Sequence, residues 1–258
     1  MTKFVAILNL TPDSFSDGGK FNQKEAALGH LKGLLDFGAD VIDIGGQSTR
    51  PGAPVITADE EWHRLKDILP FLINEIKNFE EKTGKKIEIS LDSYHPENIS
   101  KGLDLGIDII NDVSGFVSEE MQQIAVKSQK KLILMHNLGV PSDLNIIVDE
   151  NLEIIEELIK WARDKIKNLI NIGIKKENII FDPGIGFGKN HEQNITIIDR
   201  IDELKVLNLP LYIGHSRKRF LNFLESDEFI GKNIQERTDL ITDCLVCKNI
   251  DYIRIHKL

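Results

Sequence analysis

The sequence predicts one α/β domain, a (β/α)8 TIM barrel spanning residues 1–258, and three observations support this fold class. Eight short runs rich in branched apolar residues have the composition of buried strands. Stretches of helical period or composition separate them, and strands that alternate with helices pair in parallel. Eight such repeats fit in 258 residues, a common size for a single barrel. An open doubly wound sheet is the alternative.

The strands are expected in the order "FVAIL", "VIDI", "IEISL", "IDII", "KLILM", "NIIF", "LYI" and "YIRI". Helices are expected in "KEAALGHLKGLLDFG", "ADEEWHRLKDILPFLINEIKNFEEK", "SEEMQQIAVKSQ" and "NLEIIEELIKWARDKIKNLI". No low-complexity linker divides the chain. The last strand, in "YIRIHKL", is followed by no helix, so we expect the eighth helix of the barrel to be missing.

Composition limits the classes of function. The formal charge of −9 argues against a nucleic-acid surface, which needs a basic face. The sequence contains neither a membrane span nor a signal peptide, so we expect a cytoplasmic protein without a membrane partner. Cys244 and Cys247 lie one helical turn apart, and we interpret them as packed helical thiols.

Hydrogen-bonding side chains follow every predicted strand. The helix-to-strand connections, such as "FGAD" and "LNLP", look ordinary by comparison. Because barrel enzymes build their sites at the carboxyl ends of the strands, this asymmetry predicts a site at that face. The strand ends carry Asn9, "GGQSTRPGA", Asp92, Asn111, His136, "DPGIGFGK", "GHSRK", Arg254 and His256.

Three of these side chains suit a flat heterocycle. Asp92, Asn111 and Asp182 would converge on the barrel centre, where an unpaired carboxylate is costly to bury. A ring with adjacent N–H donors would satisfy them, since a carboxylate accepts two parallel hydrogen bonds. The alternative is a structural ion network in which Lys218 or Arg254 pairs with one acid.

Cations follow the last two strands. The segment "SRKR" from Ser216, together with Arg254 and His256, lies where barrels often bind phosphate, so we expect an oxyanion site. No HxH follows the first strand, as a zinc hydrolase of this fold would require. "GIGFGK" does not match a phosphate-binding GxxxxGK[ST] loop, so nucleotide hydrolysis is unsupported.

The motifs "ILNLTPDSFSDGG", "DIGGQSTRPGA", "LDSY", "INDVSG", "DPGIGFGK", "GHSRKRF" and "RIH" resemble the dihydropteroate synthase family in order and across nearly the whole chain. The resemblance implies condensation of 6-hydroxymethyl-7,8-dihydropterin diphosphate with 4-aminobenzoate, giving 7,8-dihydropteroate and pyrophosphate, with Mg²⁺. A pterin-dependent methyltransferase domain and a non-catalytic pterin-binding module of a larger folate-pathway protein remain alternatives.

The resemblance also implies residue roles. It makes Asn9 the magnesium ligand and places Thr49, Arg254 and His256 around the diphosphate. Asp92, Asn111, Asp182 and Lys218 match the pterin pocket, and Phe15, Pro51 and Phe187 fall toward the aminobenzoate. Arg50, Lys218, Arg254 and His256 are the candidate catalytic residues.

The chemistry predicts a dissociative substitution, because an electron-rich ring stabilises the cation left when pyrophosphate departs. Mg²⁺, Arg254, His256 and Arg50 would neutralise the leaving group. Such a cation must be kept from water, so we interpret "NLTPDSFSDGG" as a loop that closes over the mouth, with Phe15 as an apolar wall.

The sequence departs from the family pattern at several positions. Gln47 stands where Glu is usual, Arg219 where some members have Ser, and "RIHKL" replaces the more usual "RVHD". The absent last helix puts a homodimer in doubt, because the family's dimer contact involves the carboxyl-terminal helices. A fused folate-pathway domain is a further possible partner.

Overall fold

A computed structural model describes residues 1–11, 20–50, 52–143 and 145–256, except the side chains of 20–23. It contains eight strands, all paired in parallel. They are β1 (Lys3–Asn9), β2 (Val41–Gly45), β3 (Glu88–Asp92), β4 (Ile109–Asp112), β5 (Lys131–Met135), β6 (Ile179–Asp182), β7 (Tyr212–Ile213) and β8 (Tyr252–Ile255). Every strand expected from the sequence is present at its predicted place.

Helices connect the strands on the outside. They are α1 (Lys20–Asp36), α2 (Ala58–Leu65), α3 (Leu69–Thr83), α4 (Pro96–Leu105), α5 (Glu119–Ser128), α6 (Ile154–Asn171), α7 (His191–Asp199) and α8 (Ile234–Cys247). The α8 helix lies between β7 and β8, and β8 is the last element of the described chain.

The sheet closes into a barrel. The strand order is β6-β5-β4-β3-β2-β1-β8-β7, and a parallel bridge from Phe181 to Leu211 joins the two ends. The amide of Phe181 donates to the carbonyl of Pro210 at 2.9 Å across the same junction. This closure confirms the predicted barrel over the open-sheet alternative.

Strand alternation sets what lines the barrel interior. Residues of equal parity face the same side, and one buried interior layer is apolar: Val5, Val41, Ile109, Ile133, Ile180, Tyr212 and Tyr252. Two residues further along β2, β4, β6 and β8, the residues that face the same side are polar: Asp43, Asn111, Asp182 and Arg254. The apolar layer therefore lies beneath a polar layer, and this polar layer forms the floor of the barrel mouth near the carboxyl ends.

An ion cluster closes the opposite end of the barrel. Glu88 accepts hydrogen bonds from the ammonium groups of Lys3 and Lys131, each at 2.6 Å. These side chains lie at the amino-terminal ends of β1, β3 and β5, the face of a barrel on which residues serve stability.

The stretch expected as one helix over 58–82 is two helices. Residues 66–68 separate α2 from α3, and Pro70 lies in the first turn of α3. Proline has no amide hydrogen, and its ring would clash with the carbonyl four residues earlier in a continuous helix. The chain therefore ends one helix and starts another there.

Two further sequence inferences concern helices. No helix in the described ranges is long and apolar enough to cross a membrane.

Both cysteines lie on α8 as free thiols, but only Cys244 is half-buried, and Cys247 is exposed rather than packed. Its place on the outer face of the last turn leaves it in solvent.

Candidate active site

A guanidinium group connects acids from two strands in the polar layer. Arg254 Nε donates to Asp43 Oδ2 at 2.7 Å, and its Nη2 donates to Asp92 Oδ2 at 2.8 Å. Asn111 Nδ2 lies 3.2 Å from both oxygens of Asp43. One hydrogen-bonded group thus contains residues from β2, β3, β4 and β8. Burial and the nearby carboxylate of Asp43 raise the pKa of Asp92 to about 7, although Arg254 opposes the shift.

Asp182 occupies the end of β6 beside this group. The residue is 6% exposed, and Oδ1 accepts from the amide of Gly184 at 2.7 Å. Burial raises the pKa of Asp182, while the positive charges of Lys218, Lys189 and Arg254 lower it. The interaction with Arg254 means that Asp182 shares the electrostatic environment of the Arg254 group.

Lys218 reaches the site from the loop after β7. Its ammonium group donates to the carbonyl of Ile185 and lies 4.9 Å from the centroid of the Phe187 ring. Burial lowers the pKa of Lys218 to about 8, against the favourable effect of Asp182. The group is therefore a hydrogen-bond donor with a proton that is easier to release than that of a surface lysine.

The loop after β6 is held by an internal lysine. Lys189 is 8% exposed, and its ammonium group donates to the carbonyls of Gly184 (3.1 Å) and Phe187 (2.9 Å) and to Nδ1 of His136 (2.9 Å). Because an ammonium group only donates, His136 Nδ1 accepts. These bonds fix the loop segment whose carbonyl and ring contact Lys218.

A second cluster lies at the rim. Arg50 Nη2 is 3.2 Å from His256 Nε2, and His256 Nδ1 is 3.0 Å from Ser216 Oγ. Since arginine only donates, Nε2 accepts and the imidazole proton lies on Nδ1. Burial, Arg254 and Arg50 lower the pKa of His256 to about 3. His256 is consequently neutral at pH 7.

Asn9 and Gln47 flank the mouth beside β2 and β3. A methyl group on Gly45 would lie 3.5 Å from both Asn9 Oδ1 and Asp92 Cβ, so Asn9 faces the same opening as Asp92. Gln47 Nε2 donates to the hydroxyl of Tyr94 at 2.7 Å, and its Oε1 is 3.2 Å from His95 Nε2. The neutral amide thus joins the loop after β2 to the loop after β3.

Comparison with known proteins shows the family to which the chain belongs. A family model described as "Pterin binding enzyme" matches residues 5–256. The chain is 36% identical over 260 residues to the dihydropteroate synthase of Clostridium beijerinckii, an alignment covering 99% of this chain and 88% of that protein. The chain belongs to the dihydropteroate synthase family of pterin-binding enzymes.

Solved structures of family members have the same architecture. Dihydropteroate synthase from Anaplasma phagocytophilum with bound 6-hydroxymethylpterin-monophosphate matches with a TM-score of 0.84 at 35% identity, covering 99% of this chain and 93% of that chain. The Xanthomonas albilineans enzyme with 4-aminobenzoic acid matches with a TM-score of 0.84 at 28% identity, covering 99% and 87%. These matches confirm the resemblance inferred from the motifs.

The structure brings most of the predicted residues to one mouth. Asp92 bonds directly to Arg254, and Asn111 is linked to Arg254 through Asp43. Asp182 and Lys218 lie beside this group, and Phe187 lies under Lys218. Arg50 and His256 contact each other at the rim, and half-buried Thr49 precedes Arg50 in the loop after β2. Phe15 and Pro51 lie outside the described residues. Individual roles for these residues in the dihydropteroate synthase reaction stay predictions.

Sequence reasoning did not find Asp43, and it gave no role to His136 and Lys189, although both lie among the polar strand ends. Asp43 lies inside β2 rather than at its end, where barrel enzymes place their functional groups. An acid inside the run "VIDIG", two residues before the strand end, is the signal that could have found it, since it shares the parity of the interior layer. Lys189 ends the motif "DPGIGFGK", but nothing in the motif indicates that its side chain turns inward.

Proposed function

We propose that this chain condenses 6-hydroxymethyl-7,8-dihydropterin diphosphate with 4-aminobenzoate to give 7,8-dihydropteroate and pyrophosphate. The observation that carries the proposal is one barrel mouth with buried acids and an amide at its floor and Arg50 and His256 at its rim. Membership of the dihydropteroate synthase family supports the same reaction. The two free thiols fit the cytoplasmic location expected from the sequence.

The floor suits the pterin ring. Asp182 has one carboxylate oxygen bonded to the amide of Gly184, and its remaining acceptor capacity can receive the adjacent amino and ring N–H groups. Asp92 and Asn111 complete the hydrogen bonds of the heterocycle, and Lys218 donates to its carbonyl or a ring nitrogen. Burial strengthens each of these bonds by excluding water.

The reaction is a dissociative substitution at the exocyclic methylene. The bond from this carbon to the diphosphate oxygen breaks, and pyrophosphate leaves with the electron pair. The neutral aryl amine then attacks the ring-stabilised cation and loses its proton to solvent once the new C–N bond has formed. Arg50, Arg254 and His256 stabilise the leaving charge, an effect for which one well-placed donor contributes about 3 kcal/mol.

Magnesium is the implied cofactor, and the residues fit it. In the described part of the chain, no cluster of three His, Cys, Asp or Glu side chains could hold an ion alone. Mg²⁺ usually takes one or two protein oxygens and completes its shell with water and substrate phosphate. The amide oxygen of Asn9, which faces the mouth near Asp92, is a ligand of this kind. Bound there, the ion would neutralise diphosphate charge.

Calorimetry and a product assay test the proposal. The protein should bind the dihydropterin diphosphate with Mg²⁺ and release pyrophosphate when 4-aminobenzoate is added. Asp182→Ala should lose pterin binding, and Arg254→Ala should bind the pterin with and without diphosphate equally. Asp202→Ala and Arg200→Ala, surface changes of the same types, are matched controls. Diphosphate binding without release would favour a non-catalytic module, and absence of binding would refute the proposal.

A further inference from the structure

Asp43 is a wholly buried acid in contact with two residues of the site. Its side chain is 0% exposed, whereas the side chain of Asp92, the other acid on Arg254, is 11% exposed at the strand end. Asp43 accepts from Arg254 Nε, and Asn111 lies 3.2 Å from both of its oxygens. Its position below the strand ends separates it from a ligand entering through the mouth.

The two acids hold different parts of the guanidinium. Nε, Cζ and the two Nη atoms share one plane, so a bond at Nε fixes one direction within that plane and limits the orientations that it can take. The bond from Nη2 to Asp92 adds a second anchor, but it uses an oxygen of an acid that the proposed reaction needs for the pterin. When Asp92 turns to the ring, Arg254 requires another anion to balance its charge in a poorly solvated place.

We propose that Asp43 is a positioning residue that keeps the Arg254 guanidinium oriented and charge-balanced while Asp92 exchanges from Arg254 to the substrate. This inference rests on the proposed function. It divides the two acids bonded to Arg254 into a permanent partner, Asp43 on β2, and an exchangeable one, Asp92 on β3.

The first test needs no ligand. In the full chain labelled with ¹⁵N-arginine, Arg254→Lys identifies the Nε–Hε resonance of Arg254, and its hydrogen exchange is measured. We expect slow exchange in the wild type and in Asp92→Asn, and exchange at least tenfold faster in Asp43→Asn. Equal protection in Asp43→Asn, or loss of protection in Asp92→Asn alone, would overturn the inference.

Asp112→Asn provides a matched control. Asp112 is also 0% exposed, but it follows Asn111 on β4, and its oxygens accept from Ser114 and the amide of Phe116 instead of Arg254. This variant should lose stability and retain the slow exchange at Arg254. If Asp43→Asn does not fold, the inference is tested in the wild type alone. Adding 6-hydroxymethylpterin should change the hydrogen-exchange rate at Arg254 Nε by less than twofold. A tenfold acceleration would contradict a permanent bond from Arg254 to Asp43.

The second test measures function. Asp43→Asn should reduce kcat/KM about 100-fold, the scale expected for a misplaced reacting group, and should lose the preference for the diphosphate form over the free pterin. Asp112→Asn should keep that preference. A folded Asp43→Asn variant with the wild-type preference within twofold would refute the role of Asp43. A wild type that binds neither pterin would instead refute the proposed function and leave the exchange test decisive.

Discussion

Two glycines in the loop after β6 differ in what a methyl group would meet, and the difference predicts different defects. At Gly184, where φ is +68°, a Cβ would lie 1.9 Å from the backbone oxygen of His136. At Gly186, where φ is +80°, it would lie 3.1 Å from Cδ of the flexible Lys218 side chain. Alanine at either position adopts a left-handed conformation, at roughly 1–2 kcal/mol.

Gly184→Ala carries an additional cost. Backbone atoms must separate by more than an ångström to reach an ordinary contact of about 3.5 Å. The movement strains the bond from the Gly184 amide to Asp182 and the bond from Lys189 to the Gly184 carbonyl. Hydrogen bonds to charged groups contribute about 1.5–3 kcal/mol each, so Gly184→Ala should lose about 3 kcal/mol more than Gly186→Ala.

Urea unfolding of the two variants measures this difference. Gly186→Ala should stay within about 2 kcal/mol of the wild type in its free energy of unfolding while losing activity, because only Lys218 must move. Gly184→Ala should lose both stability and activity. Equal free energies of unfolding in the two variants would show that the β6 loop does not depend on its contact with His136.

Three other predictions follow from the described contacts. Burial lowers the pKa of His215 to about 4, so the unfolded state binds a proton at higher pH and His215 destabilises the fold as pH falls from 6.5 to 4. In urea unfolding across that range, His215→Asn should lose about 3 kcal/mol less than the wild type. Burial raises the pKa of Glu88, but Lys131 and Lys3 lower it below its usual value. The contribution of Glu88 to folding stability is therefore present above about pH 4.5 and is lost as pH falls. Glu88→Gln should reduce the free energy of unfolding in urea by about 2 kcal/mol at pH 7 without changing pterin affinity. EDTA, like Asn9→Ala, should weaken binding of the diphosphate form in calorimetry and leave the unphosphorylated pterin unaffected.

The strands were predictable because parallel barrel strands are short, buried and rich in branched residues. Their ends then predicted the mouth of the barrel, where Asp92, Asn111 and Asp182 do lie. Asp43 was missed because a mid-strand acid is unfavourable unless it is paired, and its partner, Arg254, is 211 residues away in the chain. Such a pair depends on the pairing of β8 with β1, which local sequence does not encode.

Protonation was less predictable than position. The sequence indicates that His256 stands beside cations, and the resemblance places it among the groups around the diphosphate. In the folded chain, burial, Arg254 and Arg50 all disfavour the imidazolium, and the ring accepts a hydrogen bond from Arg50. The direction of the His256 pKa shift depends on burial and on the distances to side chains of separate strands and loops. The spacing of residues along the sequence does not give those distances.

The distribution of charge explains why metal and arginine would have to act together at the mouth. Arg254 is already balanced by Asp43 and Asp92, and Lys218 is influenced most by Asp182 among the charged groups near it. The pterin ring can exchange hydrogen bonds with this balanced floor without bringing a net charge. A diphosphate brings several negative charges to a rim where His256 is neutral at pH 7 and Arg50 is its charged neighbour. Affinity for the ring and affinity for the leaving group should therefore depend on different residues, and only the second should depend on Mg²⁺.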